Sequence, residues 1–274
     1  MLSLFLTQSA IGSLLVLLLV PPREAGRRFF QFTTGQSCVL VTLGLATNLA
    51  GGRPALEHRE STLLFAVTAG LLMLSAGLFH LGRLRAGTVS MVISIAPGLT
   101  AVAMDTLAFI PQGDASMLSR VVYPLDAFSS GLLTGSVLIA MVLGHYYLNI
   151  PGLSIAHLQR LSVVFMAAVG ARLALTGISM ARSAHALVPL VALLLDTRGR
   201  ELPAGEMDPY ALVFLLVHLV FSCLAPAIMS VMAWRTSLIS STQSATGILY
   251  VALVMVIMGE LASRYLLTLT GLPL

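Results

Sequence analysis

The chain contains 274 residues, of which 57% are hydrophobic and only 9% are charged, and its mean hydropathy is +0.95. Soluble domains carry about 25% charged residues, so this composition excludes a soluble globular protein and predicts an integral membrane protein. The net charge of +4 rests on arginine alone, since the sequence has no lysine. We read these arginines as topology determinants in loops, and we expect no nucleic-acid partner.

Eight apolar stretches follow one another along the chain, and each approaches the ~20 residues that a membrane-spanning helix needs. They leave no room for a separate soluble domain. We therefore predict an all-α, polytopic integral membrane bundle of about eight transmembrane helices, which forms one domain over residues 1–274 and contacts membrane lipids. The predicted spans are 1–20, 32–50, 61–82, 87–111, 125–148, 157–181, 210–234 and 238–268.

The orientation of the bundle is predicted from the arginines that flank the first span. No charge precedes this span, whereas Arg23, Arg27 and Arg28 follow it. Because positively charged loops stay on the cytoplasmic side, we expect both termini on the outer side of a bacterial cytoplasmic membrane. The longest loop, 183–209, would then lie outside and is a candidate docking surface for a partner.

Small residues and prolines inside the spans predict where helices pack closely or bend. Gly131 and Gly135 in span 5 form a small-residue pair of the kind that lets two helix backbones approach in lipid. A similar face in span 6 carries Gly170, Ala174 and Gly177. Prolines in spans 4 and 7, at positions 97 and 226, are expected to kink or loosen their helices.

Polar side chains cluster at the predicted inner ends of four spans. At ~1.5 Å per residue, the two histidines of spans 3 and 5 lie at the same depth, and glutamines lie one turn into span 2 and at the start of span 8. Tyrosines follow both the span 5 histidine and the span 8 glutamine. The residues expected to converge near the cytoplasmic surface are His80, His145, Tyr146, Gln36, Gln243 and Tyr250.

This inner group suits a quinone, whose two carbonyls need hydrogen-bond donors and whose redox chemistry moves protons. Histidine titrates near neutral pH, and amide or phenol groups can orient the second carbonyl. Two alternatives stay open. The histidines at 80, 145 and 218 could supply axial ligands to a b-type haem, or the inner group could anchor the helices at the membrane interface.

A second polar group lies toward the outer half of the spans. Arg172 is the deepest charge, so it needs a carboxylate partner or a wet cavity. Asp105 and Glu260 are the candidate partners. His218 lies in the same half, as does Asp126, which opens span 5. This group is expected to form a proton path, part of an outer quinone pocket, or a buried ion pair that fixes helix register.

Two segments carry a resemblance to a known family. Gly77–Ala86 reads GLFHLGRLRA, and Thr34–Leu45 reads TGQSCVLVTLGL. The first resembles the His-Leu-Gly segment, followed by a basic residue and Ala, of the quinone-linked membrane anchors in the DmsC/NrfD/polysulfide-reductase group. The second is similar to the helix that precedes it. The resemblance implies an eight-helix bundle that exchanges electrons with an extrinsic iron–sulfur subunit, and it places His80 beside the quinone.

We therefore predict a quinone- or quinol-interacting membrane subunit of a multisubunit respiratory or electron-transfer complex. Its extrinsic partners, iron–sulfur or haem proteins, would carry the metals, because Cys38 and Cys223 lack metal-ligand spacing. The alternatives are a b-haem electron-transfer subunit, a transporter or channel that uses Arg172 and the acidic residues, and a purely structural assembly subunit.

Overall fold

A computed structural model describes residues 1–50, 59–110, 116–149, 153–182, 209–271 and 273–274 of the chain. The predicted docking loop, 183–209, lies outside the described residues except for its last position. The described part is a helical bundle: α1 (Leu2–Leu17), α2 (Pro22–Ala50), α3 (Arg59–His80), α4 (Leu84–Leu107), α5 (Met117–Asn149), α6 (Ala156–Arg182), α7 (Pro209–His218), a π-helical segment (Leu219–Leu224), α8 (Ala225–Leu238) and α9 (Thr242–Thr270).

The predicted all-α polytopic bundle is confirmed. Seven of the described helices are long and apolar enough to cross a membrane, with α7, the π segment and α8 together acting as the single span Ala211–Leu238. The eighth, α1, has only 16 residues and stops at Leu17, short of the predicted end at residue 20. The bundle therefore combines seven spans with one shorter apolar helix.

Two helices begin well before the predicted spans. Helix α2 starts at Pro22 rather than at residue 32, and it kinks at Gly26, whose φ of 79° only glycine adopts easily. Helix α5 starts at Met117 rather than at residue 125. Hydropathy detects the apolar part of a helix, so it missed the charged start of α2, which contains Arg23, Arg27 and Arg28, and the start of α5, which contains Arg120.

Helix α1 lies at the centre of the bundle and is buried on nearly all of its faces. Its Gly12 meets the predicted small-residue pair of α5, and the two backbones almost touch there. A Cβ at Gly12 would lie 1.8 Å from the carbonyl oxygen of Gly131, and a Cβ at Gly135 would lie 2.3 Å from the carbonyl carbon of Gly12. The crossing of α1 and α5 therefore requires glycine at these positions.

The second predicted small-residue face does not pack in this way. Gly170, Ala174 and Gly177 are exposed on α6, and a Cβ at Gly170 or Gly177 would meet no described atom within 4 Å. Helix α6 instead turns the opposite face, with Arg172 and Thr176, into the bundle. The expectation of close packing was wrong because burying a charge away from lipid outweighs the packing of small residues.

Of the two prolines expected to disturb their helices, Pro226 has a visible effect. Proline has no N–H to bond the carbonyl four residues earlier, at Ser222, and its ring crowds that carbonyl. The backbone widens into the π segment Leu219–Leu224 just before it. Helix α4, in contrast, runs without interruption from Leu84 to Leu107 around Pro97.

The two ends of the bundle differ in character. The end where α3 and α5 finish, here called the histidine end, contains a row of packed aromatic rings with centroid spacings of 5.5–5.9 Å. There His157 of α6 also contacts Glu24 of α2 at 2.6 Å between Nε2 and Oε2. The opposite end, here called the ion-pair end, holds the buried charges. The aromatic row is Phe79, Phe30, Phe29 and Tyr146.

A methyl group at the α1–α5 crossing should destabilise the fold. We expect Gly12→Ala to lose about 3 kcal/mol or more of stability, since overpacking a tight contact typically costs 1–3 kcal/mol and here the obstacle is backbone. Gly177→Ala is the matched control, because its added methyl group enters open space. Thermal denaturation in detergent would measure both, and equal melting temperatures would contradict the crossing.

Candidate functional sites

The first candidate site is a cluster of four buried charges near the ion-pair end. Arg172 of α6 faces Glu260 of α9, with Nε 2.8 Å from Oε1 and Nη2 2.9 Å from Oε2. This bidentate arrangement, with two parallel hydrogen bonds, is the strongest interaction that a guanidinium and a carboxylate form. Both side chains are fully buried, so the pair ties α6 to α9 inside the bundle.

Arg172 has further partners on both of its terminal nitrogens. Its Nη1 donates to Asp126 of α5, and its Nη2 also donates to the hydroxyl of Ser263 at 2.9 Å and to the carbonyl oxygen of Leu274 at 2.6 Å. The second oxygen of Asp126 accepts a hydrogen bond from Arg264 of α9. Two arginines and two carboxylates thus balance one another, which reduces the penalty of burying each charge.

A set of neutral side chains completes the cluster around Glu260. Ser130 of α5 and Ser222 of the π segment each donate a hydrogen bond to its carboxylate. Gln8 of α1 in turn donates from Nε2 to the Ser130 hydroxyl at 2.6 Å. Gln8 lies one turn before Gly12, so the close crossing of α1 and α5 brings this amide into reach of the cluster.

His218 lies beside this cluster, where the sequence places it. Its Nδ1 is 3.2 Å from the carbonyl oxygen of Gly259 and therefore carries the proton, while its Nε2 is 3.3 Å from the Thr176 hydroxyl. Twenty residues of helix separate His218 from the histidine end at Leu238, a distance of about 30 Å. The structure therefore does not bring His218 together with His80 or His145.

Asp105 occupies a different place from the one expected for a partner of Arg172. It lies near the end of α4 and lines a cavity of about 220 Å³ together with Met1, Ser3 and Asn48. The sequence offered two acids for Arg172, and it gave no information on which helices are neighbours. Glu260 contacts Arg172, whereas Asp105 belongs to the region around the start of α1.

At the histidine end, the predicted group divides into two separate pairs. His80 of α3 contacts Gln31 of α2, with 3.4 Å between Nδ1 and Nε2, and Arg27 donates to its carbonyl oxygen at 3.4 Å. His145 of α5 contacts the Tyr250 hydroxyl of α9 at 3.4 Å. Both histidines are exposed, and they face different pairs of helices.

The remaining members of the predicted group also separate. Tyr146 points into the bundle and packs on Phe29 at a centroid distance of 5.5 Å. Gln243 is exposed on the first turn of α9. Gln36 lies on the α2 face that also carries Gln31, so it joins the His80 side.

A groove along α2 is the second candidate site. It measures about 710 Å³, is shallow and open on its outer side, and is lined by residues of α2 alone. A cation and an amide lie at its histidine end, and apolar side chains lie about three turns further along the helix. The groove is lined by Arg28, Gln31, Phe32, Gly35, Gln36, Val39 and Leu40.

Several residues of the charged cluster were not predicted as site residues. Arg264 follows Glu260 by four positions, a spacing that places both on one face of a helix, so this signal was present in the sequence. Gln8 and Ser130 gave no comparable signal. Their roles depend on the neighbouring positions of α1, α5 and α9, which a single sequence does not reveal.

Comparison with known proteins adds no assignment. No protein-family model, curated protein or solved structure matches the chain.

Replacing Arg172 should destabilise the protein strongly. Arg172→Leu leaves Asp126 and Glu260 buried without their shared partner, and breaking a buried pair in this way costs about 3–5 kcal/mol. We expect a large loss of folded protein, measured as the monodisperse fraction after detergent extraction.

Arg160→Leu is the control for this prediction, because Arg160 lies on the same helix and is exposed. The double variant Arg172→Leu/Glu260→Leu should recover part of the folded fraction, since it removes the carboxylate that has lost its ion pair, while Asp126 still pairs with Arg264. A normal yield of the single variant would show that the cluster is not needed for folding.

Proposed function

We propose that this chain is a quinone- or quinol-interacting integral membrane subunit of an electron-transfer complex, with the head group bound in the α2 groove. The observation that supports this most is the polarity of the groove, which changes from a cation and amides to apolar side chains along one helix face. A quinone has the same distribution, with a polar ring at one end and an isoprenoid tail at the other. Lateral opening lets such a ligand enter from lipid.

The polar groups of the groove match the two redox forms of a quinone. The Gln36 Oε1 atom is buried and has no hydrogen-bond partner among the described residues, so a turn of this side chain into the groove would let it accept a hydrogen bond from a quinol hydroxyl. The Gln31 amide can donate to a quinone carbonyl. His80 contacts Gln31 and is open to solvent, so it can pass a proton between the groove and water.

The two segments that resemble the quinone-linked anchors lie next to each other in the structure. One contains Gln36 on α2, and the other contains His80, whose ring contacts α2 at Gln31. This proximity supports a common role. In that role the chain holds the quinone in the bacterial cytoplasmic membrane, and extrinsic iron–sulfur or haem subunits carry electrons to or from it.

The geometry does not favour a b-type haem held by the chain's own histidines. Two axial ligands must reach the same iron. His80 and His145 are adjacent in sequence to Phe79 and Tyr146, which are the two ends of the aromatic row. Two further phenylalanine rings lie between these ends, so the histidines are too far apart to bind one iron. His218 lies near the opposite end of the bundle.

Photolabelling distinguishes the two histidine pairs. We expect an azido-quinone to label a peptide spanning residues 28–40, and an excess of unlabelled quinone to suppress the label. His80→Ala should lower both this labelling and quinol turnover in membranes several-fold, without loss of protein. His145→Ala is the matched control, because its ring is also exposed and also makes a side-chain contact at 3.4 Å. Equal labelling of this peptide in all three proteins would refute the role of His80, and absence of a displaceable label from residues 28–40 would refute the groove.

A bulky side chain in the groove should block the ligand and leave the fold intact. Gly35 lines the groove, and a Cβ there meets no described atom within 4 Å. We therefore expect Gly35→Phe to fold normally and to lose most quinone labelling. Gly170→Phe places the same ring on the open face of α6 and should retain the label. Retention of the label by both variants would place the quinone elsewhere.

A further inference from the structure

Arg264 is the one member of the charged cluster whose hydrogen bonds are incomplete within the described part of the chain. Its side chain is 1% exposed, and its Nη2 donates to Asp126 and to the Ser263 hydroxyl. Its Nε and Nη1 atoms are buried, and they donate to no described residue. Arg172, in the same cluster, uses all three of its nitrogens.

Unpaired donors on a buried guanidinium are costly. Burying a polar group without a hydrogen-bond partner costs about 1–3 kcal/mol of folding stability, and burying a charged group in this way costs more. Arginine keeps its charge in proteins, so Arg264 cannot avoid this loss by deprotonation. The unused N–H groups therefore indicate an occupant that supplies acceptor atoms.

Charge balance restricts what this occupant is. Arg172 and Arg264 carry two positive charges, and Asp126 and Glu260 carry two negative charges. Since an oxygen of Leu274 is a further acceptor at Arg172, the cluster has no excess positive charge, and an anion at Arg264 would add a buried negative charge without a counter-charge, which is expensive. A neutral acceptor satisfies the N–H groups and adds no charge.

We propose that Arg264 binds a neutral oxygen group inside the ion-pair end of the bundle, supplied by ordered water or by a carbonyl or hydroxyl of a membrane-soluble molecule. Buried water typically makes about three hydrogen bonds to groups that lack protein partners. Ser179, on the same face of α6 as Arg172 and Thr176 and nearer to that helix end, also has a buried hydroxyl without a described partner. Water both donates and accepts, so it suits both groups.

The occupant would make the two halves of the cluster unequal. Around Glu260, four protein donors already fill the carboxylate. At Arg264, the Asp126 side would contact an exchangeable molecule. This inference is independent of the quinone groove, which lies toward the histidine end, so either proposal can fail alone.

Radiolytic hydroxyl labelling of the intact protein tests the proposal, because radicals form where water is bound. Leu267 is the reporter: it follows Arg264 by three positions on the same helix face and is 3% exposed. Leu249, on the same helix and 0% exposed, is the reference. With water at Arg264, we expect Leu267 to be oxidised several-fold faster than Leu249.

Two variants connect the signal to Arg264. Arg264→Lys retains the charge that pairs with Asp126 but lacks the two unpaired nitrogens, and it should reduce Leu267 labelling several-fold while the protein folds. Arg264→Leu should do the same if it folds. A second outcome is that Leu267 is oxidised slowly and a small molecule co-purifies with the wild-type protein but not with Arg264→Lys. That outcome would identify the occupant as an organic carbonyl or hydroxyl instead of water. Slow labelling with no such molecule, or a stoichiometric bound anion, would overturn the proposal.

Discussion

The permanent positive charge of Arg172 is the constraint on which the rest of the bundle depends. A guanidinium does not lose its proton in a protein, so a helix that carries one into the membrane needs acceptors on its neighbours. Helices α5 and α9 supply Asp126 and Glu260, and the chain beyond α9 returns to supply the carbonyl of Leu274. One side chain thereby fixes the neighbours of α6 and its rotation.

Close packing at the centre of the bundle serves the same constraint. The contact between Gly12 and Gly131 brings α1 against α5 with almost no space between the backbones. Gln8 can then reach Ser130, which in turn reaches Glu260. The hydrogen bonds of the charged cluster therefore depend on the close approach of the two backbones, because a wider spacing of α1 and α5 would place the Gln8 amide out of reach of Ser130.

The sequence predicted the fold class and the location of the spans, because apolar length is a local property. It also identified Arg172 as a charge in need of a partner and included Glu260 among the candidates. Helix neighbours are not local, so the sequence could not choose between Glu260 and Asp105. It also could not foresee that His80 and His145 face different helices. The prediction that the glycine face of α6 packs against another helix failed for a related reason. The sequence shows the small residues, but it does not show that the opposite face, with Arg172, is the one that the bundle buries.

The π segment Leu219–Leu224 carries one residue more than an α-helix of the same rise would hold. In its winding it is equivalent to a one-residue insertion into an α-helix, in which each residue turns the chain by about 100°. Deleting one residue there would restore regular winding and rotate α7 by that angle relative to α8. His218 would then leave Gly259, and Ser222 would leave Glu260. The π segment thus sets the rotation of α7 relative to α8, where α7 carries His218 beside the charged cluster and α8 continues to the histidine end.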